Sequence, residues 1–345
     1  MTVPVGVEYD PLLAWLGERV EVVEPLTIEM IAGGRSNLTY KLTDAAGSSW
    51  VLRRPPTGHV LESAHDVLRE QRIMGALAPS TIPVPVIVDS CDDPDVIGAP
   101  FFVMDFVDGL VIRDVEQAQV LTEEVRHDAS RNLMGVLADL HRVDPADVGL
   151  DTLSRGHDYI ARQLKRWERQ FTAISMRDVP LMGEVHTRLV DRIPEQEGVG
   201  IVHGDYRLDN CIIGESGAVM AVLDWELCTL GDTRADLGQT LAYWSQEGDS
   251  LQALEGSPTV ANGFANRGQI VEWYQSEVGQ RVEHLDFFVA FANWRLACIL
   301  EGVYTRYSKG SMGDSAGLDI EGFGRTVLDL LGRANEILDG ADPLS

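Results

Sequence analysis

The sequence predicts an α+β chain of two lobes, the first rich in strand and the second mainly helical. Three observations predict it. Between residues 26 and 53, polar and apolar residues alternate in three short runs, as half-buried strands do. From residue 118 onward, apolar residues recur at intervals of three and four, the helical period. The length, 345 residues, is long for one core and natural for two. The division is placed between residues 1–107 and 108–345.

Taken in order, residues 8–19 read as a short helix opened by Asp10 and Pro11. Residues 26–31, 38–42 and 49–53 alternate and read as strands, with a turn at Asp44-Ala-Ala-Gly47. Residues 63–77 carry Val67, Leu68, Ile73, Met74 and Leu77 at helical spacing, with Ser63 and Asp66 spaced as a capping box. Two prolines in 82–88 exclude helix there. Residues 101–107 read as a buried strand ending at Asp108-Gly109. Helical patterns then cover 118–142, 157–173, 183–193, 264–278 and 283–306. Short strands at 211–213 and 219–223 flank a Gly-Glu-Ser-Gly turn, and 246–262 reads as a loop.

Composition bounds the function. The apolar fraction is 45%, enough for a folded chain. The formal net charge of −26 would repel nucleic acid, so none is expected as a partner. No run approaches 18 consecutive apolar residues, so no membrane span is expected. Met1 to Glu8 lack the basic region and long apolar core of a signal peptide. Four scattered cysteines without a C-x-x-C argue against a zinc site or disulfide framework, and a reducing cytoplasm fits. Oligomeric state is not legible in the sequence.

The densest chemistry lies in His203-Gly-Asp-Tyr-Arg-Leu-Asp-Asn210, followed by Asp224 in Val-Leu-Asp-Trp-Glu. Asp205 and Asn210 are five residues apart, and Asp224 follows fourteen later. Phosphoryl-transfer sites built on H-R-D-x-x-x-x-N and D-F-G have nearly this arithmetic, which makes the two lobes a protein-kinase-like pair with ATP in the cleft. Asp205 is then the base that orients and deprotonates an attacking hydroxyl. Asn210 and Asp224 are hard oxygen ligands suited to Mg2+. Arg207 is assigned to neutralise charge on the transferring phosphoryl group. His203 reads as a buried hydrogen-bonding prop, and Asp209 as either a loop cap or a substrate contact.

Upstream, Gly33-Gly34-Arg35-Ser36-Asn37 lies between two strands, and paired glycines let backbone approach phosphate oxygens. On the following strand Arg53 is the candidate phosphate cation, with Arg54 as the alternative, and Glu70 would hold it. The carbonyl of Asp105 and the amide of Val107 are the candidate adenine contacts. Asp236 reads as the N-cap of a helix starting at Leu237 that braces the catalytic loop. A two-metal hydrolase built from Asp205, Asp224, Asp232 and Asp236 is the competing reading, but it lacks the usual histidine ligands.

H-G-D-Y-R-L-D-N, V-L-D-W-E and G-D-T-R-A-D-L-G together resemble the aminoglycoside phosphotransferase and choline kinase superfamily. Residues 52–56, 223–231 and 299–304 are similar to the kinase-like domain fused to some acyl-CoA dehydrogenases, which is associated with hydroxyacyl substrates. The resemblance implies a protein-kinase-like fold, ATP and Mg2+, the base on Asp205 and metal ligands on Asn210 and Asp224. Arginine stands where protein kinases carry the strand lysine, and Thr233 where many relatives have proline. The implied activity is transfer of phosphate to a small-molecule hydroxyl, on an aminoglycoside, an amino alcohol or a hydroxyacyl compound. A nucleotide-binding module without turnover is the alternative. A protein kinase is disfavoured, since no A-P-E bounds an activation segment. A polycationic acceptor would call on acidic residues such as Asp232, Glu247, Asp249 and Glu301. The segment around Trp244 and the residues Trp273, Trp294 and Tyr304 are expected to wall the acceptor pocket.

Overall fold

A computed structural model describes residues 4–32, 37–57, 66–249, 257–310 and 319–345. After helix α1 (Tyr9–Gly17) come strands β1 (Thr27–Ala32), β2 (Leu38–Thr43) and β3 (Ser49–Arg54), then α2 (Val67–Leu77). Strand β4 (Ile87–Cys91), the single turn α3 (Pro94–Ile97) and strand β5 (Phe101–Asp105) follow. The five strands make one antiparallel sheet in the order β1-β2-β3-β5-β4.

Both faces of this sheet are covered, and the two-residue period of a strand sorts side chains between them. Tyr40, Leu42, Trp50, Leu52, Phe101 and Val103 pack with Leu12, Trp15 and Leu16 of α1. Val51, Phe102 and Met104 pack with Val67, Ile73, Met74 and Leu77 of α2. The same alternation sends Arg53 to the α2 side and Arg54 to the α1 side. Asp66 caps α2 itself, its carboxylate accepting from the Arg69 amide, so it is not the third helical residue of a capping box.

Beyond β5 the chain is mainly helical. It forms α4 (Val115–Ala118), α5 (Glu123–Arg142), α6 (Tyr159–Ile174) and α7 (Pro180–Val190). The helix expected over 118–142 begins later, at Glu123, because the Thr122 hydroxyl accepts from the Val125 amide and caps its start. Four short strands come next: β6 (Gly200–Val202), β7 (Cys211–Ile213), β8 (Val219–Val222) and β9 (Thr229–Gly231). They pair as two ribbons, β7 with β8 and β6 with β9, the second of which was not foreseen.

The chain closes with α8 (Arg234–Tyr243), α9 (Arg267–Val278), α10 (Leu285–Ser308) and α11 (Ile320–Leu338). Helix α10 is long and apolar enough to cross a bilayer by length and composition, yet 83% of its most apolar window is buried in the protein. A helix that is apolar all round belongs in a core, and α6, α7, α8 and α11 pack around it. Helix α11 was not foreseen. Its buried Val327, Leu330, Leu331, Ala334 and Ile337 keep the helical period, but Gly322, Gly324 and Gly332 weaken the signal.

Candidate active site

Strand β6 delivers the chain to His203 and Gly204. Gly204 has φ +85°, and a Cβ there would lie 2.8 Å from the Leu227 carbonyl oxygen, so only glycine fits. Beneath it sits Asp236, in the first turn of α8 and 1% exposed. Its two oxygens accept from the backbone amides of His203 (2.7 Å) and Gly204 (2.8 Å), and Oδ2 is 3.2 Å from His141 Nε2. Burial alone would raise this carboxyl's pKa. The His141 hydrogen bond, the neighbouring histidines and the Gly204 amide outweigh burial and hold it below the usual range. The helix starts at Arg234, so Asp236 is not its N-cap but a brace reaching back from within it.

The rest of the loop is held as firmly. His203 is fully buried, its Nδ1 accepting from the Asp205 amide (3.2 Å) and its Nε2 facing the Leu223 carbonyl (3.0 Å). That pairing puts the ring proton on Nε2. Arg295 Nη2 donates to the Gly204 carbonyl at 2.6 Å, the Tyr206 hydroxyl to Leu133 O at 2.8 Å, and Thr240 Oγ1 to Tyr206 O at 2.9 Å.

On this base the polar side chains converge. Asn210 Nδ2 donates to the Asp205 carbonyl (2.9 Å) and to Asp205 Oδ2 (3.0 Å), which leaves the amide oxygen as the end offered to a cation. Arg207 Nε lies 3.3 Å from Asp205 Oδ2, its Nη1 lies 3.2 Å from Asp209 Oδ2, and its guanidinium sits 4.7 Å from the Tyr243 ring centre. The Leu223 amide donates to the Asn210 carbonyl at 2.8 Å, tying the end of β8 to the catalytic loop. One residue on, Asp224 adopts φ +64°, a left-handed conformation uncommon for a non-glycine residue. Its Oδ1 accepts from Arg53 Nη2 at 2.7 Å.

Arg53 therefore spans the two halves of the chain. Its Nε is 2.8 Å from Glu70 Oε2, an ionic contact whose angle falls short of a hydrogen bond. Glu70 is 2% exposed, and burial, helped by Asp224 and Glu226, pushes its carboxyl up to about 7 against the pull of Arg53. Burial opposes the charge on Arg53 too, but Glu70 and Asp224 overcome it and raise its pKa. Arg54 goes elsewhere, donating to the carbonyls of Gly6, Ile97 (2.8 Å) and Pro55 (3.0 Å).

Sequence reasoning passed over Glu226. It stands two residues after Asp224 in the single turn Trp225–Leu227, with Oε2 buried and without a hydrogen-bond partner among the described residues. Burial first, and then Asp224, pushes its carboxyl up to about 7. The available signal was the Asp-Trp-Glu spacing itself, which sets two carboxylates around a buried tryptophan. Arg69 of α2 donates to the carbonyls of Glu226 (3.2 Å) and Cys228, anchoring that turn.

Of the glycine loop, Gly33, Gly34, Arg35 and Ser36 lie outside the described residues. Asn37 is 6% exposed, and its Oδ1 is buried without a partner among the described residues. Asp105 is the exposed last residue of β5, its amide donating to Val86 O (2.8 Å). Phe106 N donates to Ser49 O (3.3 Å), and Val107 follows as the chain leaves the sheet. Leu110 then exchanges two hydrogen bonds with Ile213 of β7, at 2.8 and 2.9 Å.

The other carboxylates do not join this group. Asp232 binds Arg234 at 2.9 and 2.7 Å, and Asp236 is turned beneath the loop, so the four aspartates of a two-metal hydrolase are not assembled. No cluster of three His, Cys, Asp or Glu suited to a metal occurs among the described residues. Asp249 pairs with Arg267 at 2.9 and 2.5 Å, and Glu301, fully buried, pairs with Arg177 at 3.0 and 2.7 Å. The indoles of Trp244 and Trp294 are buried, donating to Ala265 O (2.8 Å) and Met182 O (3.1 Å), so they build core and not pocket wall.

Residues 27–267 match the model of a family described as the phosphotransferase enzyme family. The chain is 36% identical to mouse acyl-CoA dehydrogenase family member 10 over 83% of its own length and 27% of that protein's. It is 34% identical to chicken acyl-CoA dehydrogenase family member 11, over 83% of its own length and 37% of the relative's. The chain thus spans between a quarter and two fifths of the length of these two relatives. A solved Ralstonia eutropha protein assigned to the aminoglycoside phosphotransferases superposes with a TM-score of 0.76, at 30% identity and 96% coverage of each chain. A Plasmodium vivax ethanolamine kinase shares the fold, with a TM-score of 0.61 at 12% identity over 92% of this chain and 85% of that one.

Proposed function

Because the chain belongs to the phosphotransferase enzyme family, we propose that it is an ATP- and Mg2+-dependent kinase of a small-molecule hydroxyl. One observation carries the reading: Asp205, Asn210 and Asp224 converge opposite a buried Arg53–Glu70 pair. The donor set fits a hard divalent cation on a nucleotide. Glu70, Asp205, Asp209, Asp224 and Glu226 crowd around Arg53 and Arg207, and burial first, then the neighbouring carboxylates, pushes Glu70 and Glu226 up to about 7. The buried, unpartnered oxygens of Asn37 and Glu226 fit the same picture. Magnesium keeps several water or phosphate ligands, so two protein oxygens suffice. Asn210 and Asp224 would hold it, with Glu226 beside them, and when bound it would neutralise charge on the nucleotide phosphates.

The chain's own groups supply the rest. Asp205, held by Asn210 and Arg207, receives the acceptor's hydroxyl proton and aims its oxygen. Arg207 stays charged, because Asp205 and Tyr243 outweigh its burial and raise its pKa. Arg53, fixed by Glu70, is free to exchange Asp224 for a phosphate oxygen, and arginine suits that contact. The adenine edge would meet Asp105 and Val107. Four buried, unpaired cysteines fit a reducing compartment such as the cytoplasm.

A hydroxyacyl acceptor is favoured over an aminoglycoside. Three of the acidic residues named as examples for a polycation, Asp232, Asp249 and Glu301, are already neutralised by arginines. The curated relatives are named as acyl-CoA dehydrogenases, which points the same way. The test is Asp205→Asn assayed with Mg-ATP against hydroxyacyl esters, amino alcohols and aminoglycosides. We expect turnover to fall about 10²-fold or more with Mg-ATP binding unchanged, the scale of a lost general base. Undiminished turnover in that variant rejects the assignment.

A further inference from the structure

Helices α8 and α10 meet closely, since a Cβ on Gly238 would lie 2.5 Å from the Phe288 carbonyl oxygen. Two turns on from Phe288, on the same side of α10, stands Arg295. It is 4% exposed and reaches past α8 to the catalytic loop. Its Nη2 donates to the Gly204 carbonyl at 2.6 Å, and its Nη1 lies 3.5 Å from Gln239 Oε1 on α8. The guanidinium carbon sits 5.4 Å from the Trp167 ring centre. A guanidinium keeps its proton in proteins, so a full positive charge is held in the interior.

The carbonyl of Gly204 and the amide of Asp205 belong to one peptide unit. Arg295 takes its oxygen, and its N–H donates to His203 Nδ1 at 3.2 Å. The preceding unit is fixed separately, by the Gly204 amide on Asp236 Oδ1 at 2.8 Å. Gly204, at φ +85°, is the permissive joint of the loop, because glycine changes φ and ψ at little steric cost. The peptide after it is therefore the one most able to turn over. Turning it would carry the Asp205 carboxylate away from Asn210 and Arg207. Stability gives a poor account of the charge that prevents this. Arg295 Nε is buried without a partner among the described residues, and a buried charge costs free energy unless it is fully partnered.

We infer that Arg295 is a positioning residue for phosphoryl transfer. It clamps the Gly204–Asp205 peptide from the far side of the loop, so that the base meets the acceptor hydroxyl already aimed. A displacement of about 1 Å at a reacting group can cost about 10²-fold in rate, which is the scale available to such a clamp. The role deepens the kinase reading and rests on it.

The experiment uses the full chain and compares wild type, Arg295→Met and Arg295→Lys. Turnover is read as ADP release from Mg-ATP with hydroxyacyl esters, amino alcohols and aminoglycosides as acceptors, and nucleotide binding as Mg-ADP affinity by calorimetry. We expect Arg295→Met to lose about 10²-fold in kcat while KM for Mg-ATP and Mg-ADP affinity stay within about twofold of wild type. Arg295→Lys keeps the charge and a donor without the planar fork, and should recover about tenfold of that loss. In an Asp205→Asn background, Arg295→Met should cost no more than about a further twofold, because the two residues act as one unit. Wild-type kcat in Arg295→Met overturns the role. So does a fall in Mg-ADP affinity that matches the fall in kcat, which would mark general damage to the fold, or losses that multiply in the double variant. In all of these the wild-type chain still transfers phosphate and the kinase reading stands. A wild-type chain that releases no ADP with any acceptor defeats that reading, and the role of Arg295 falls with it.

Discussion

Asp236 and Asp224 stand twelve residues apart, on either side of the same catalytic loop, and are treated in opposite ways. Asp236 is 1% exposed and accepts two backbone amides and a histidine, so its charge is satisfied from within. The Asp224 side chain is 29% exposed, has Arg53 as its one hydrogen-bonding partner among the described residues, and sits on a left-handed backbone beside another carboxylate that burial has pushed up to about 7. The first arrangement is complete without a ligand. The second gains from an added cation. Saturation of a buried carboxylate marks scaffold, and a deficit of partners marks a binding group.

The comparison is broken most directly at Asp236. Asp236→Ala strands the amides of His203 and Gly204 in the interior, and removing one side of a buried charged network costs about 3–5 kcal/mol. The urea midpoint should drop accordingly, with Asp236→Asn losing less because one acceptor remains. The carboxyl's folded pKa lies below its ordinary value, so its contribution is present above the unfolded value of 3.8 and is lost as pH falls through the folded one. A wild-type midpoint for the alanine variant means that the brace is idle.

Asp224→Ala should behave in the reverse manner. Arg53 keeps Glu70, no backbone group loses a partner, and the urea midpoint should move by less than about 1 kcal/mol. Mg-ATP affinity should fall about 10²-fold or more, close to 2.7 kcal/mol. Calorimetry with and without Mg2+ separates loss of metal from loss of nucleotide. Should this variant melt like Asp236→Ala and still bind Mg-ATP, the two aspartates have been assigned the wrong way round.

How much of this was legible in the sequence depended on the range of the interaction. Strand alternation alone separates Arg53 from Arg54, because adjacent residues must face opposite sides of a sheet, and Glu70 lies on the helix covering one of them. The Asp205–Asn210 pair is local, five residues within one loop, and could be read from spacing. The salt bridges that neutralise Asp249 and Glu301 span 18 and 124 residues, and no periodicity announces them, so acids that looked available for a cationic acceptor were not. Helix α11 was hidden by its own glycines, although its apolar spacing was intact. Glu226 was missed for another reason. A carboxylate's burial is set by what folds over it, here Trp225 beneath and Arg69 anchoring the turn from α2.

Glu226 also gives the finest test of the contrast, since its effect should appear as a slope and not as a loss. Its carboxyl is pushed from 4.5 up to about 7, by burial and then by Asp224. Between those values the folded chain holds a proton that the unfolded chain has released, so this group's linkage makes stability fall as pH rises from 4.5 to about 7, and levels it off above. Glu226→Gln removes the titration, and its melting temperature relative to wild type should therefore climb across that window. A cation in the site favours the ionised carboxylate, so wild-type Mg-ATP affinity should increase with pH through about 7, and the glutamine variant should show a shallower rise, with Glu70 still contributing. Parallel pH profiles for the two proteins would place Glu226 with Asp236, among the groups that only hold the loop in shape.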